Sequence, residues 1–204
     1  NPYWTVPTRL AARDFLPRLK RDPEQVARQG IRLYSGWSET DRQLDPASID
    51  WQSVTPSNFP YKLRQDPGPY NALGRLKFVL PNRVAINLHD TPSRHLFNSD
   101  VRTFSSGCIR VEQPLELAAY LLAGQDGWTH ARLQNQVDSG QRKVIHLREK
   151  QDVHVVYWTA WVDHEGTLCF REDIYGRDRQ MLQAIKSRQN KQASISSGAR
   201  SLDG

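Results

Sequence analysis

The chain has 204 residues, of which 38% are hydrophobic and 25% are charged, and this composition fits a globular protein with one core. No run of apolar residues approaches the roughly 20 that a membrane-spanning helix needs. The net charge of +6 is compatible with an anionic partner such as a nucleic acid, an anionic lipid or a carboxylate-rich polymer. Since the sequence has no zinc-finger, helix-turn-helix or RNP-type motif, we expect no nucleic-acid partner.

The first 73 residues contain short elements, many turns and many aromatic side chains. Asp22 followed by Pro23 is typical of a helix N-terminus, and Gly30 is typical of a helix end. The predicted elements are an extended segment over 1–8, helices over 11–20 and 22–30, a strand over 31–37, a capped helical turn over 45–51 and a loop over 52–74. The region 9–73 therefore has the character of an insertion into a larger domain.

The second part of the chain combines strands and helices. Residues 74–80 and 84–89 alternate and predict a hairpin that places His89 at a strand end. The run over 153–162 is apolar on both faces, which predicts a central strand. The other predicted elements are a loop over 90–107, helices over 114–122, 129–137 and 178–186, strands over 144–147 and 167–170, and a disordered tail over 187–204.

Cys108 and His89 are the candidate nucleophile and base. A thiol becomes a strong nucleophile when a base removes its proton, and histidine can take that proton and return it to a leaving amine. A single cysteine is more often a small buried apolar residue, but Cys108 follows the polar, turn-prone run Ser105-Ser106-Gly107. A glycine there allows close approach of a substrate carbonyl, and the neighbouring backbone N–H groups can form an oxyanion hole.

Histidine and cysteine side chains also bind metals, and pairs of cysteines form disulfides. The spacing of His89, His95 and Cys108 matches no standard zinc site, so we expect no metal and no other cofactor. Cys169 lies in an apolar run that predicts a buried structural residue. A disulfide between Cys108 and Cys169 stays open at this point.

The segment that begins at His89 resembles the signature of the YkuD-type L,D-transpeptidases. That family has a histidine, a gap of similar length, and then Ser-x-Gly-Cys followed by an apolar residue and often arginine. Here Cys108 lies nineteen positions after His89 and is followed by Ile109 and Arg110. Asp90 departs from the pattern, because many members have glycine or serine there. In the family this residue contributes chiefly a backbone carbonyl that orients the imidazole, so we expect a different side chain to be tolerated.

The resemblance covers nearly all of residues 1–186 and is to the large periplasmic members of Gram-negative bacteria. It implies an α+β fold, with a mainly β catalytic domain of mixed sheets over 1–186 and a helix after the catalytic cysteine. It implies that 9–73 is a capping subdomain that folds over the active site, and that N-terminal strands of the domain are missing from this chain. It also implies a periplasmic protein whose signal sequence is not in this chain.

The activity implied by the resemblance is peptidoglycan cross-linking, which belongs to cell-wall biogenesis and cell shape. Cys108 would attack the bond between diaminopimelate and the terminal D-alanine of a tetrapeptide stem, with His89 as base, and form a thioester. The side-chain amine of another diaminopimelate would then take the acyl group, giving a third-to-third cross-link. Carbapenems, which acylate this family, are expected to acylate Cys108.

Five further residues complete the predicted site. Ser106, Gly107 and Asp90 are assigned to the oxyanion hole and to orientation, and Arg110 and Ser105 to substrate binding. Arg110 offers a planar fork for a substrate carboxylate, with a structural salt bridge as the alternative role.

Two other functions stay open. One is a cysteine peptidase or carboxypeptidase acting on cell-wall peptides; papain-type enzymes place cysteine before histidine, the reverse of the order here, but hydrolysis by the same site depends on the acceptor and not on the nucleophile. The other is a non-catalytic peptidoglycan-binding module, which a buried or misaligned Cys108 would favour.

Overall fold

The computed structural model describes residues 1–38, 40–125 and 127–199, which divide into two compact units. The first unit is Asn1–Gln151, and the second begins at Asp152. Helices account for 33% and strands for 13% of the residues, which confirms the α+β fold class. Within the described residues, no helix is both long enough and apolar enough to cross a membrane.

A four-stranded antiparallel sheet forms the start of the first unit. Its strands are β1 Trp4–Thr5, β2 Ile31–Tyr34, β3 Gln43–Leu44 and β4 Lys62–Gln65. They pair in the order β1-β4-β2-β3, with Leu33 opposite Leu63. Strand β4 lies in the segment predicted as a loop over 52–74, so that prediction is wrong there. Only four residues alternate in burial, and the strands that pair with β4 are distant in sequence, so the local pattern was too short to identify it.

Helical segments pack against this sheet. They are α1 Thr8–Leu10, a π-helical turn Ala11–Phe15, α2 Leu16–Arg21 and α3 Pro23–Arg28, followed by 3₁₀ turns Pro46–Ser48 and Trp51–Ser53. The predicted N-cap of α3 is confirmed, because the Asp22 carboxylate accepts a hydrogen bond from the Gln25 N–H at 2.8 Å. Leu19, Val26, Leu33 and Leu63 belong to one buried apolar cluster.

Residues 4–65 therefore form a module with its own core. Strand β1 pairs with β4, and Val6 is fully buried in the same cluster. The module accordingly begins before residue 9, where we placed the start of the insertion.

A three-stranded sheet follows this module in the chain. It contains β5 Lys77–Phe78, β6 Leu88–His89 and β7 Ile109–Arg110, in that order. The predicted hairpin is confirmed, because β5 and β6 are antiparallel, although both strands are shorter than predicted. Strands β6 and β7 are parallel. The loop between them contains a 3₁₀ helix, Arg94–Asn98, that the sequence analysis did not predict.

Two helices pack together after β7. They are α4 Pro114–Leu121 and α5 His130–Asp138, and both were predicted. Ala118, Leu122 and Leu133 form a second buried apolar cluster. Residues 144–147, which were predicted as a strand, have no regular structure.

The second unit contains a hairpin and a long helix. The elements are β8 Ala160–Val162, β9 Leu168–Phe170 and α6 Arg177–Ala199. The predicted central strand over 153–162 is wrong, because regular structure begins only at Ala160 and Trp158 is 64% exposed. Among the described residues of this unit, β8 and β9 pair only with each other and no third strand joins their sheet.

Two other predictions for the second unit need correction. Helix α6 includes 187–199 of the segment that was predicted to be disordered, and this part has no proline to interrupt a helix. The rest of the predicted tail, 200–204, lies outside the described residues. Cys169 is partly exposed and not buried, with its Sγ 3.8 Å from Asp163 Oδ2, and both cysteines are free thiols.

The Leu33–Leu63 pair gives a test of the first core. Leu33→Ala should lower the free energy of unfolding by roughly 2–5 kcal/mol, because it removes a buried side chain and leaves a cavity. Val79→Ala, at a position 73% exposed, is the matched control and should change it by less than about 0.5 kcal/mol. Urea denaturation followed by circular dichroism measures both. Equal effects of the two substitutions would mean that the core is wrongly placed.

Candidate active site

The parallel pairing of β6 and β7 brings His89 and Cys108 to the same part of the sheet. His89 is opposite Arg110, the Ile109 N–H donates to the Asn87 carbonyl at 3.0 Å, and the Val111 N–H donates to the His89 carbonyl at 2.8 Å. Side chains of in-register parallel neighbours share a face, and so do alternate residues of one strand. Cys108 directly precedes Ile109, so this pairing brings the backbone of Cys108 beside the strand that ends at His89.

The imidazole of His89 is held in one orientation in a buried position. The residue is 6% exposed, and its Nδ1 lies 2.5 Å from the Asp90 carbonyl oxygen. Because a carbonyl oxygen can only accept, Nδ1 carries the proton and Nε2 has the free lone pair. Burial lowers the pKa of His89 below its ordinary value; Arg110 and Lys77 lower it further, and the carbonyl and carboxylate of Asp90 oppose this shift. The arrangement favours the neutral imidazole, which is the basic form.

The Asp90 carboxylate has partners that the sequence analysis missed. The residue is 4% exposed. Its Oδ2 accepts from the Arg75 backbone N–H at 2.8 Å, and its Oδ1 accepts from Arg94 Nη2 at 2.8 Å. The same Arg94 donates through Nη1 to the Glu112 carbonyl at 2.8 Å. A side chain that we expected to be freely replaceable thus satisfies two donors in a buried position.

Gly74 makes room for this carboxylate. Its φ is +60°, and a Cβ at this position would collide with the Asp90 side chain. The sequence did contain a signal for this, because a glycine at the start of a predicted strand often marks close approach of another group.

The thiol lies at the end of an exposed loop. Residues 100–107 are exposed and Cys108 is partly exposed. Gly107 has a φ of +143°, and its N–H donates to the Ser105 hydroxyl at 3.3 Å. That N–H is therefore occupied, whereas Ser106 is an exposed member of the same turn.

The thiol and the imidazole belong to neighbouring segments but are not hydrogen bonded. Among the described residues, no hydrogen bond joins the Cys108 Sγ to His89, and no group of three or more histidine, cysteine, aspartate and glutamate side chains could hold a metal ion. His95 belongs to the 3₁₀ helix Arg94–Asn98. A thiol and a neutral imidazole can exchange a proton, and this is the chemistry that the pair offers.

Gly74 and Gly140 form a matched pair for a stability test. Both have positive φ, +60° and +69°, but a Cβ at Gly140 would meet no atom within 4 Å. Gly140→Ala should cost about 1 kcal/mol from backbone strain alone. Gly74→Ala should cost a further 1–3 kcal/mol or so, because the methyl group displaces Asp90. Thermal denaturation compares them, and equal losses would show that the Asp90 contact adds nothing.

The pKa of His89 can be measured directly. An NMR titration of the imidazole should give a pKa below that of the same histidine in an unstructured peptide of the same local sequence, whose value is about 6.5. Arg110→Gln should raise the pKa, because the guanidinium disfavours the imidazolium. A His89 pKa equal to or above that of the peptide would contradict the described burial.

Comparison with known proteins identifies the family of the chain. A family model described as the L,D-transpeptidase catalytic domain, YkuD, matches residues 1–145. A Haemophilus influenzae protein named "Putative L,D-transpeptidase" is 42% identical over 181 residues, which are 89% of this chain and 36% of that protein. The chain therefore spans little more than a third of the length of this relative. On these matches, the chain belongs to the YkuD family of L,D-transpeptidase catalytic domains.

Proposed function

We propose that this chain carries the active site of a peptidoglycan L,D-transpeptidase in which Cys108 is the nucleophile and His89 is the base. The observation that carries the proposal is the pairing of His89 with Arg110 across β6 and β7, which brings a buried imidazole to the strand that follows Cys108. The hydrogen bond from Nδ1 to the Asp90 carbonyl supports the assignment, because it leaves Nε2 free to accept the thiol proton.

The first half of the reaction forms an acyl-enzyme. Nε2 of His89 takes the proton of Cys108, and the thiolate attacks the amide carbonyl between diaminopimelate and the terminal D-alanine of a tetrapeptide stem. Backbone N–H groups near Ser106 and Cys108 stabilise the oxyanion. The Gly107 N–H joins them when its hydrogen bond to the Ser105 hydroxyl is broken. His89 then gives its proton to the leaving amine of D-alanine, so a thioester remains.

The second half transfers the acyl group. The side-chain amine of a diaminopimelate on another stem attacks the thioester and loses a proton to His89, which returns it to the departing thiolate. The product is a third-to-third cross-link, and the thiol is restored. Neither half needs a metal or an organic cofactor, since all proton transfers run between the thiol, the imidazole and the two amines.

Positive charge on the protein contributes to substrate binding. Arg110 lies in β7 on the same face as the imidazole, where its fork can hold a stem carboxylate, and Ser105 lies at the loop that approaches the nucleophile. The net charge of +6 favours an anionic polymer. We assign the module of residues 4–65 to capping of the bound stem. Peptidoglycan is periplasmic in Gram-negative bacteria, so this function places the protein there, in cell-wall biogenesis and cell shape.

Hydrolysis by the same site is the second candidate. The loop over 100–107 is exposed throughout, so water has access to the thioester. Water in place of the second amine would make the protein a carboxypeptidase. Muropeptide products distinguish the two outcomes, because only transfer yields a cross-linked dimer.

Acylation by a carbapenem tests the nucleophile. Intact-mass spectrometry should show one adduct on the parent protein and on Cys169→Ala, which is the matched thiol control. Cys108→Ala should form no adduct. His89→Ala should react more slowly by roughly 10²–10⁴-fold, because general-base assistance is lost.

Two results would contradict this proposal. An adduct that persists in Cys108→Ala would place the nucleophile elsewhere. A folded and reduced parent protein that forms no adduct and binds purified peptidoglycan would instead support the non-catalytic binding module.

A further inference from the structure

Two segments beside the candidate active site meet at the guanidinium of Arg94, and a third joins them through the Asp90 carboxylate. Through Nη2 it donates to the buried Asp90 carboxylate, and through Nη1 it donates to the Glu112 carbonyl, both at 2.8 Å. Asp90 follows the last residue of β6, and Glu112 lies two residues after the end of β7. The other Asp90 oxygen holds the Arg75 N–H, which connects the segment before β5 to the same point.

The bridge is important because the strands it connects are short. Strands β6 and β7 have two residues each. The N–H groups of Ile109 and Val111 supply the backbone hydrogen bonds from β7 to β6. A ladder of two-residue strands resists sliding and splaying only weakly, whereas a charged side chain that holds both strand ends adds a restraint just beyond His89.

Burial differs between the two charged partners. The Asp90 side chain is 5% exposed and that of Arg94 is 57% exposed. The carboxylate is therefore held in a desolvated position where it needs both donors, while the guanidinium reaches it from the surface. Substitution of Arg94 removes the bridge without leaving a cavity in a core.

We propose that Arg94 is a positioning residue which, by bridging the Asp90 carboxylate and the Glu112 carbonyl, sets the separation of the imidazole of His89 from the thiol of Cys108. The inference rests on the proposed function only for its consequence in peptidoglycan chemistry. Arg94 touches neither the thiol nor the imidazole in the structure, so it acts through Asp90 and through the strand that carries the nucleophile.

The reaction of Cys108 with iodoacetamide tests the bridge without relying on the proposed substrate. All variants are made in the Cys169→Ala protein, so that one thiol reacts. Arg94→Gln should slow alkylation near neutral pH by up to about 100-fold, because misplacement by about 1 Å is enough to lose assistance from a base. Arg102→Gln is the matched control and should leave the rate unchanged, since Arg102 lies in the same loop and, in the part of the chain that the structure describes, donates only to the Ser99 carbonyl.

A conservative replacement separates geometry from charge. Lysine keeps the positive charge at position 94 but cannot hold a carboxylate and a carbonyl at once with a planar fork. Arg94→Lys should therefore react as slowly as Arg94→Gln. Full rescue by lysine would overturn the bridge and leave only a charge effect.

The pH dependence of alkylation supplies a readout that loss of folding stability would not produce. The charged groups that face the imidazole are Asp90, Arg110 and Lys77. Asp90→Asn should move the acidic limb of the rate profile to lower pH, because its carboxylate raises the pKa of His89. Arg94→Gln leaves this carboxylate without its cation and should move the limb to higher pH. Shifts in the same direction would contradict the proposal.

Failure of this inference can be distinguished from failure of the proposed function. If no carbapenem acylates the parent protein but its alkylation depends on Arg94 as described, the bridge is retained and the transpeptidase assignment is rejected. If a carbapenem acylates the parent protein but Arg94→Gln and Arg102→Gln are alkylated at equal rates, the assignment is retained and the bridge is rejected. Melting temperatures are recorded for every variant, and if Asp90→Asn does not fold, the two Arg94 variants carry the test.

Discussion

The parallel pairing of β6 with β7 is the constraint on which the candidate site depends. Parallel neighbours cannot be joined by a tight turn, because the chain must return to the start of the second strand. The segment from Asp90 to Cys108 makes this return and includes the 3₁₀ helix Arg94–Asn98. The nineteen positions between His89 and Cys108 thus follow from the connection that two parallel strands require, and the proposed chemistry uses residues at its two ends.

Burial gives the site its electrostatic character. His89, Asp90 and Thr91 are consecutive polar residues, and each is less than 7% exposed. Such residues are stable only where their polar atoms have partners. The imidazole bonds the Asp90 carbonyl, the carboxylate has two donors, and the Thr91 hydroxyl accepts from the Ser93 N–H at 3.1 Å. The same desolvation that demands these partners favours the neutral imidazole that a base requires.

The elements that the sequence predicted well have local signals. Helices α3 and α5 begin at capping residues, Asp22 and Thr129, and the antiparallel hairpin of β5 and β6 joins two alternating runs. The predictions for strand β4 and for the run over 153–162 were wrong in opposite directions. The first is central in its sheet but short, and the second is strongly apolar but exposed. In both cases the presence or absence of a strand to pair with, which the local pattern does not report, decided the outcome.

The sequence by itself identified the candidate nucleophile, the candidate base and the family, because the order and spacing of histidine, glycine and cysteine are properties of one short segment. Only the tertiary structure decided that Asp90 is buried, that Gly74 must lack a side chain, and that Arg94 bridges two strand ends. These are contacts between segments separated by many residues. Their physical basis, desolvation of a carboxylate and exclusion of a methyl group, exists only after the chain has folded.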